Sequence, residues 1–266
     1  MAGLRGTSAS WPGLFCYPDC NMGETKEIGG NSGAEALRAL GESVRGCRLC
    51  GLCEGRTQVV FGVGNPDAEL LFVGEGPGFH EDKQGEPFVG AAGKLLTELL
   101  GQIGLTRDDV YIANVVKCRP PDNRDPAPDE IEACSPHLMH QIAIIRPRVV
   151  CTLGRFATKL LADTELSMTA VHGKAKQRDI AGVSVVVFPV FHPAAALYTP
   201  SNRTVLEQDF AKLQHLLSHG LALRPDEAEE EQRGGHAAPG GADEGPADKP
   251  KGQSTASTRV EQLPLW

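Results

Sequence analysis

Cys47-Arg-Leu-Cys50-Gly-Leu-Cys53 places three thiols within seven residues, and Cys118 and Cys134 follow far downstream. A Cys-x-x-Cys pair lets two thiolates reach one metal or cluster from a single turn, and distant cysteines close such a site only if the chain folds back onto it. Three separate segments must therefore meet, which rules out a chain of independent local units. No run reaches the roughly 18 apolar residues a membrane span requires. The N-terminus lacks the continuous apolar stretch of a signal peptide. A cytoplasmic location is the default expectation, with no membrane partner. In a reducing compartment, eight cysteines serve as metal ligands or buried thiols rather than as disulfides. The spacing alone leaves structural zinc and an iron–sulphur cluster equally open. Cys151, inside Arg-Val-Val-Cys-Thr-Leu, reads as a small core residue. Cys53 is a ligand, a spare thiol or a bystander.

Elsewhere the pattern alternates between strand and helix. Ala34–Val44 has helical spacing and leads into Cys47. Ala68–Val73 is a short apolar run that ends in Gly-Glu-Gly-Pro-Gly, the signature of a buried strand and a loop. Gly93–Ile103 carries Leu95, Leu96, Leu99, Leu100 and Ile103 on one broad helical face. Val110–Val116, Val149–Leu153 and Val183–Val190 supply three more strands; Ile131–Ile145, Arg155–Leu161 and Val205–Leu217 supply helices. This order predicts an α/β three-layer sandwich, a central and mostly parallel four-stranded sheet flanked by helices. In such sheets the ligand crevice lies beyond the carboxyl ends of the strands. The Gly-Glu-Gly-Pro-Gly loop, Asn114 and His192 all fall there.

The flanks differ in character. Residues 1–35 are rich in Gly, Ser and Pro without period and read as a disordered leader; Met22 offers an alternative start that would leave out Cys16 and Cys20. Residues 36–220 form the expected domain. Residues 221–259 read as a disordered acidic Gly/Pro-rich tail, and 260–266 break that composition. The net charge of −8 argues against a nucleic-acid partner until it is apportioned. Residues 221–266 hold 5 basic and 9 acidic side chains, and residues 1–35 hold 2 and 4. Removing them leaves 19 against 21 for the central region, a near-neutral domain on which a local basic face can still meet phosphates.

Four stretches carry a resemblance. Residues 74–96 (GEGPGFHEDKQGEPFVGAAGKLL), 114–121 (NVVKCRPP), 153–157 (LGRFA) and 192–195 (HPAA) closely resemble the family 4 uracil-DNA glycosylases, the iron–sulphur members of that superfamily. The resemblance runs from about Ala36 to Gly220. It implies a base-excision repair enzyme that flips uracil out of DNA and hydrolyses the N-glycosidic bond. It also implies a [4Fe-4S] cluster on Cys47, Cys50, Cys118 and Cys134, with Cys53 as the supernumerary thiol, and so favours iron–sulphur over zinc.

Such an enzyme must read a pyrimidine edge, hold the ring, stabilise charge on the departing base and supply water. By resemblance Phe88 stacks on the flipped base. Asn114 can donate to uracil O4 and accept from N3–H while rejecting the cytosine amino group. A neutral His192 N–H aimed at O2 would stabilise the leaving anion. The resemblance assigns Glu75, Gly76, Pro77 and Glu81 to the uracil pocket. The first motif has no Asp to orient water, so Glu75 or Glu81 is expected to do so. Arg203, within the stretch Tyr198–Arg203 that corresponds to the duplex-entering loop of the superfamily, is a candidate DNA contact. Lys117 and Arg119 beside Cys118 are candidate phosphate contacts.

Gln262-Leu263-Pro264-Leu265-Trp266 resembles the short peptide by which bacterial repair proteins bind the sliding clamp, with Gln262 as polar anchor and Leu263, Leu265 and Trp266 as apolar ones. The protein is otherwise expected to act as a monomer. Two rival readings are a superfamily enzyme with a broader base range or covalent capture, and a non-catalytic cluster or zinc module. No basic insertion of the covalent-capture type is visible, and a non-catalytic module leaves Glu75, Phe88, Asn114 and His192 without a purpose.

Overall fold

Every residue of Leu70–Gly74 and of Val149–Leu153 is buried, as required of strands covered on both faces. The structure, a computed structural model, describes residues 33–219. In chain order these form α1 (Gly33–Arg45), α2 (Leu52–Gly55), β1 (Val63–Gly64), β2 (Leu70–Gly74), α3 (Phe79–Gln84), α4 (Ala91–Gln102), β3 (Tyr111–Asn114) and α5 (Pro128–Ile145). Then come β4 (Val149–Leu153), α6 (Arg155–Thr158), α7 (Met168–Val171), β5 (Lys176–Ile180), β6 (Val183–Val190), α8 (Pro193–Tyr198) and α9 (Pro200–His219). The expectations for the leader, the acidic tail and the terminal pentapeptide fall outside the described residues.

The sheet order is β1-β3-β2-β4-β6-β5. The four strands expected from the apolar runs are its parallel centre, with β2 between β3 and β4, and β6 beyond β4. The sheet has six strands rather than four, because β1 and β5 add antiparallel edges. β1 is two residues long, and β5 (Lys-Gln-Arg-Asp-Ile) shows no apolar alternation. Neither carries the period-2 signal of a half-buried strand.

Alternate residues of β2 feed two apolar layers. Leu71 and Val73 point to the side packed by Leu37 of α1 and by Leu138 and Ile142 of α5. Leu70 and Phe72 point to the opposite side, with Leu96 and Leu99 of α4 and Leu206, Phe210 and Leu213 of α9. The Phe72 and Phe210 rings stack with centroids 5.9 Å apart. Helices on both faces of a mostly parallel sheet make the expected three-layer sandwich.

Two helix bounds differ from the sequence reading. The helix after β4 stops at Thr158 and continues as a π turn over Lys159–Asp163, a change of winding that apolar spacing does not register. α9 begins at Pro200, five residues before Val205, since proline is well suited to the first helical position. Among the described residues, no helix is long and apolar enough to cross a membrane.

Candidate functional site

The carboxyl ends of β2, β3 and β6 deliver the residues singled out above. Gly74 pairs in register with Asn114 across β2 and β3, and the pairing continues as Val115 and Val116 donate to the carbonyls of Gly74 and Glu75. A Cβ on Gly74 would come to 2.5 Å from Asn114 Oδ1 and 2.6 Å from the Phe88 ring. The missing side chain therefore leaves room for both the amide and the ring at this strand end. Asn114 is buried, and its Oδ1 has no hydrogen-bond partner among the described residues. A buried acceptor left unpaired costs about 1–3 kcal/mol, so it marks a place where a ligand donor belongs.

Phe88 and His192 lie face to face, with centroids 5.5 Å apart and 29° between planes. Phe88 is held at φ 56, a strained region for an aromatic residue. Three groups impose this conformation. Glu81 Oε1 accepts from the backbone N–H groups of Val89 (2.9 Å) and Gly90 (3.0 Å). Arg107 donates to the carbonyls of Pro87 (2.8 Å) and Phe88 (3.2 Å). Gly93 is the third, since a Cβ there would collide with the Phe88 carbonyl oxygen.

His192 caps α8: its Nδ1 accepts from Ala194 N–H at 3.1 Å. That bond leaves the proton on Nε2. Burial pushes the imidazole down to about 4, against a smaller opposing pull from the Glu81 carboxylate. His192 is thus a neutral donor at physiological pH. Glu75 is pushed the other way, up to about 7, first by burial and then by Asp125, with Arg155 opposing. Asp125 and Arg155 form an ion pair beside it. Pro77 is buried and Gly76 packs closely on Val116, so the first motif lies against the end of β3.

A second feature sits on the α1–α5 side of the sheet. Cys47, Cys50, Cys53, Cys118 and Cys134 line one pocket, together with Arg56, Lys117 and His137. Nitrogen groups already face three of the sulphurs. Arg56 donates to Cys118 Sγ at 3.1 Å, Lys117 N–H donates to Cys134 Sγ at 3.2 Å, and His137 Nε2 lies 3.6 Å from Cys47 Sγ. Burial pushes the Cys134 thiol up to about 11, so a thiolate there needs a bound cation. Among the described residues, no three His, Cys, Asp or Glu side chains are arranged to hold a single metal ion.

The expected DNA contacts fare differently. Lys117 is 1% exposed, and its ammonium, pushed down to about 8 by burial, bonds inward to Asn114 O and Gln141 Oε1. A phosphate cannot reach it, so that assignment is withdrawn. Arg119 is half-buried, donates to Asn123 Oδ1 at 2.6 Å and lies 5.2 Å from the centre of the exposed Phe79 ring. Arg203 is not on a loop. Residues 200–203 are the first turn of α9, and its guanidinium already meets Glu98 and Glu207 at 3.1 Å each. The exposed large side chains of α8, the helix that His192 caps, are Leu197 and Tyr198.

Sequence reasoning missed Arg107, Arg56, His137 and Gln141. Each acts across a long chain separation, and none sits in a periodic or motif context that announces it.

Comparison with known proteins adds the following. The family model described as "Uracil DNA glycosylase superfamily" matches residues 61–215. The chain is 51% identical over 187 residues to a type-4 uracil-DNA glycosylase of Sulfurisphaera tokodaii, spanning 68% of this chain and 85% of that protein. It is 50% identical over 186 residues to the Archaeoglobus fulgidus type-4 enzyme, spanning 68% of this chain and 94% of that one. The Thermotoga maritima type-4 enzyme is 46% identical over 186 residues, 69% of this chain and 95% of that one.

Proposed function

Because the chain belongs to the uracil DNA glycosylase superfamily, and within it to the type-4 family, we propose that it excises uracil from DNA by hydrolysing the N-glycosidic bond. The observation that carries this reading is the orphaned acceptor of Asn114 beside the stacked Phe88–His192 pair. Oδ1 as oriented accepts uracil N3–H, and the amide N–H₂ donates to O4. Cytosine presents an acceptor and a donor in the opposite places. The Phe88 ring supplies the stacking face. As the glycosidic bond lengthens, charge develops on uracil O2, and the His192 Nε2–H is the neutral donor available to meet it.

Water orientation falls to Glu75 rather than Glu81. Glu81 Oε1 is already engaged by two backbone N–H groups, so its role is to position Phe88. Glu75 has no such engagement, and a carboxylate poised near 7 suits a weak base. Gly76 and Pro77 form the wall of the same loop. At the DNA surface, Arg119 remains a phosphate candidate. Leu197 and Tyr198, exposed and apolar, suit the gap left by the flipped base better than Arg203 does.

The cysteine pocket suits a [4Fe-4S] cluster on Cys47, Cys50, Cys118 and Cys134. Thiols spread around a pocket fit a larger inorganic group better than one tetrahedral ion. Arg56 and Lys117, cations with no carboxylate partner among the described residues, fit an anionic group. When bound, the cluster would cross-link the α2 turn, the end of β3 and α5.

The terminal Gln262–Trp266 peptide supports a sliding-clamp partner on sequence grounds alone; equal clamp retention by full-length protein and a chain ending at Val260 would sink that idea. A cytoplasmic monomer fits the composition. The main experiment is uracil release from a synthetic oligonucleotide by purified protein, with iron quantified on the same sample. Uracil release with about four irons per chain is expected; no release overturns the reading.

A further inference from the structure

Lys117 touches both features of the molecule at once. Its backbone N–H donates to Cys134 Sγ at 3.2 Å, and its neighbour is Cys118. Its side chain curls back to donate to the carbonyl of Asn114 at 2.9 Å and to Gln141 Oε1 at 2.5 Å. Gln141, fully buried on α5, is anchored in turn by its own donation to Phe61 O at 2.9 Å. The ammonium is among the most completely buried side chains of the protein, and no carboxylate pairs with it among the described residues. An apolar side chain of the same length would fill this space without burying a charge. What the ammonium adds is therefore the tie it makes between the last residue of β3 and α5.

We infer that Lys117 is a positioning residue that locks the Asn114 backbone, and with it the base-reading amide, to the cysteine pocket. This rests on the assignment of Asn114 as uracil reader and of Cys118 and Cys134 as cluster ligands. Asn114 ends β3 with its Oδ1 against Gly74, whose free Cβ position also borders the Phe88 ring. A shift of its carbonyl moves the amide relative to the Phe88 face. His192, at the end of β6 and capped by Ala194, shares no hydrogen bond with Lys117. Lys117 therefore acts on base recognition and not on leaving-group stabilisation.

The test is a pair of double-mutant cycles in the full-length protein, read by single-turnover uracil release and by iron per chain. Lys117→Met is expected to keep iron within twofold of wild type while kcat/KM falls about tenfold, the size of one lost hydrogen bond to a charged group. In an Asn114→Ala background the same change should cost less than twofold, because the residue it positions is gone. In a His192→Ala background the full tenfold loss should persist. Equal losses in both backgrounds mean general destabilisation and overturn the inference. Should Lys117→Met fail to fold or lose iron, Gln141→Met removes one acceptor of the same ammonium and runs through the same cycles, with a smaller loss that must also vanish in Asn114→Ala. Wild-type protein that neither releases uracil nor holds iron overturns the functional reading and this inference together. Wild-type activity with additive losses overturns the inference alone.

Discussion

Phe88 and His192 stack 5.5 Å apart although they arise 104 residues apart in the sequence, one between α3 and α4 and the other at the end of β6. The contact brings the proposed base-stacking surface and the proposed leaving-group donor to one place. It also desolvates the imidazole, whose Nδ1 is already committed to Ala194. Because burial holds His192 near 4, the neutral donor persists through the whole physiological range. His192→Ala should lower the single-turnover rate by roughly 10²–10³-fold, the range for one oxyanion-type donor, with iron content unchanged. The acid limb belonging to His192 should appear only as pH falls towards about 4. A loss of activity as pH rises through about 6.5, absent in His192→Gln, would show instead that the imidazole works in its protonated form.

Glu75 gives a second, separable pH effect. Its carboxyl sits at about 7 in the folded protein against 4.5 ordinarily. As a water-orienting base it must be ionised, so kcat/KM should climb as pH rises through about 7, and Glu75→Gln should be slow and without that limb. The stability effect runs opposite to that of a salt-bridged carboxylate. The unfolded chain ionises first, so the folded state loses stability as pH rises from about 4.5 to 7. Glu75→Gln should therefore unfold at higher temperature than wild type at pH 8, by on the order of 1–2 kcal/mol after solvent screening, and at the same temperature at pH 4. Thermal scans at the two pH values decide it.

The four central strands were legible because each is a mainly apolar run, wholly buried in β2, β3 and β4 and largely so in β6. The convergence of Gly74, Phe88, Asn114 and His192 was legible because they stand in long local motifs that begin at strand ends. What could not be read were the parts whose determinants are tertiary. β5 is polar apart from Ile180 and gains its place chiefly by pairing with β6. Lys117 looks like a surface lysine until Gln141, 24 residues away, is seen to accept from it. Arg107 lies in an ordinary acidic turn, yet it supports the Phe88 backbone from 19 residues further along. Glu81 appeared as a candidate for water, and only geometry shows its oxygen bound to Val89 and Gly90.

The last of these yields a discriminating pair. Glu81→Gln retains an acceptor oxygen for the Val89 and Gly90 N–H groups, so uracil release should stay within severalfold of wild type. Glu81→Ala strands both N–H groups, at about 1–3 kcal/mol of stability for the unsatisfied donors, and should raise KM as Phe88 loses its place. Loss of about 10²-fold in kcat for Glu81→Gln, with KM unchanged, would return the water-orienting role to this residue.

Gly93 is fixed by the same segment. Its Cβ position is already occupied by the Phe88 carbonyl, which cannot withdraw without breaking the Arg107 bonds. Gly93→Ala should cost about 3 kcal/mol or more, seen as a lowered denaturation midpoint, with uracil affinity reduced in what remains folded. A variant as stable and active as wild type would mean that the loop has another acceptable conformation.

Cys53 separates ligands from bystanders in the cysteine pocket. It lines the same space as the other four thiols, but the nitrogen donors face Cys47, Cys118 and Cys134. Of the two α2-side thiols left, Cys50 is the one whose thiol burial pushes up, and it completes the Cys-x-x-Cys pair with Cys47. Cys53→Ser should therefore keep full iron content and visible absorbance, whereas Cys50→Ser and Cys118→Ser should each lose most of both. The losses should bring a lowered unfolding temperature, since α2, the end of β3 and α5 would no longer be cross-linked. If Cys53→Ser loses iron and Cys50→Ser keeps it, the ligand set is Cys47, Cys53, Cys118 and Cys134, and the first pair spans six residues rather than three.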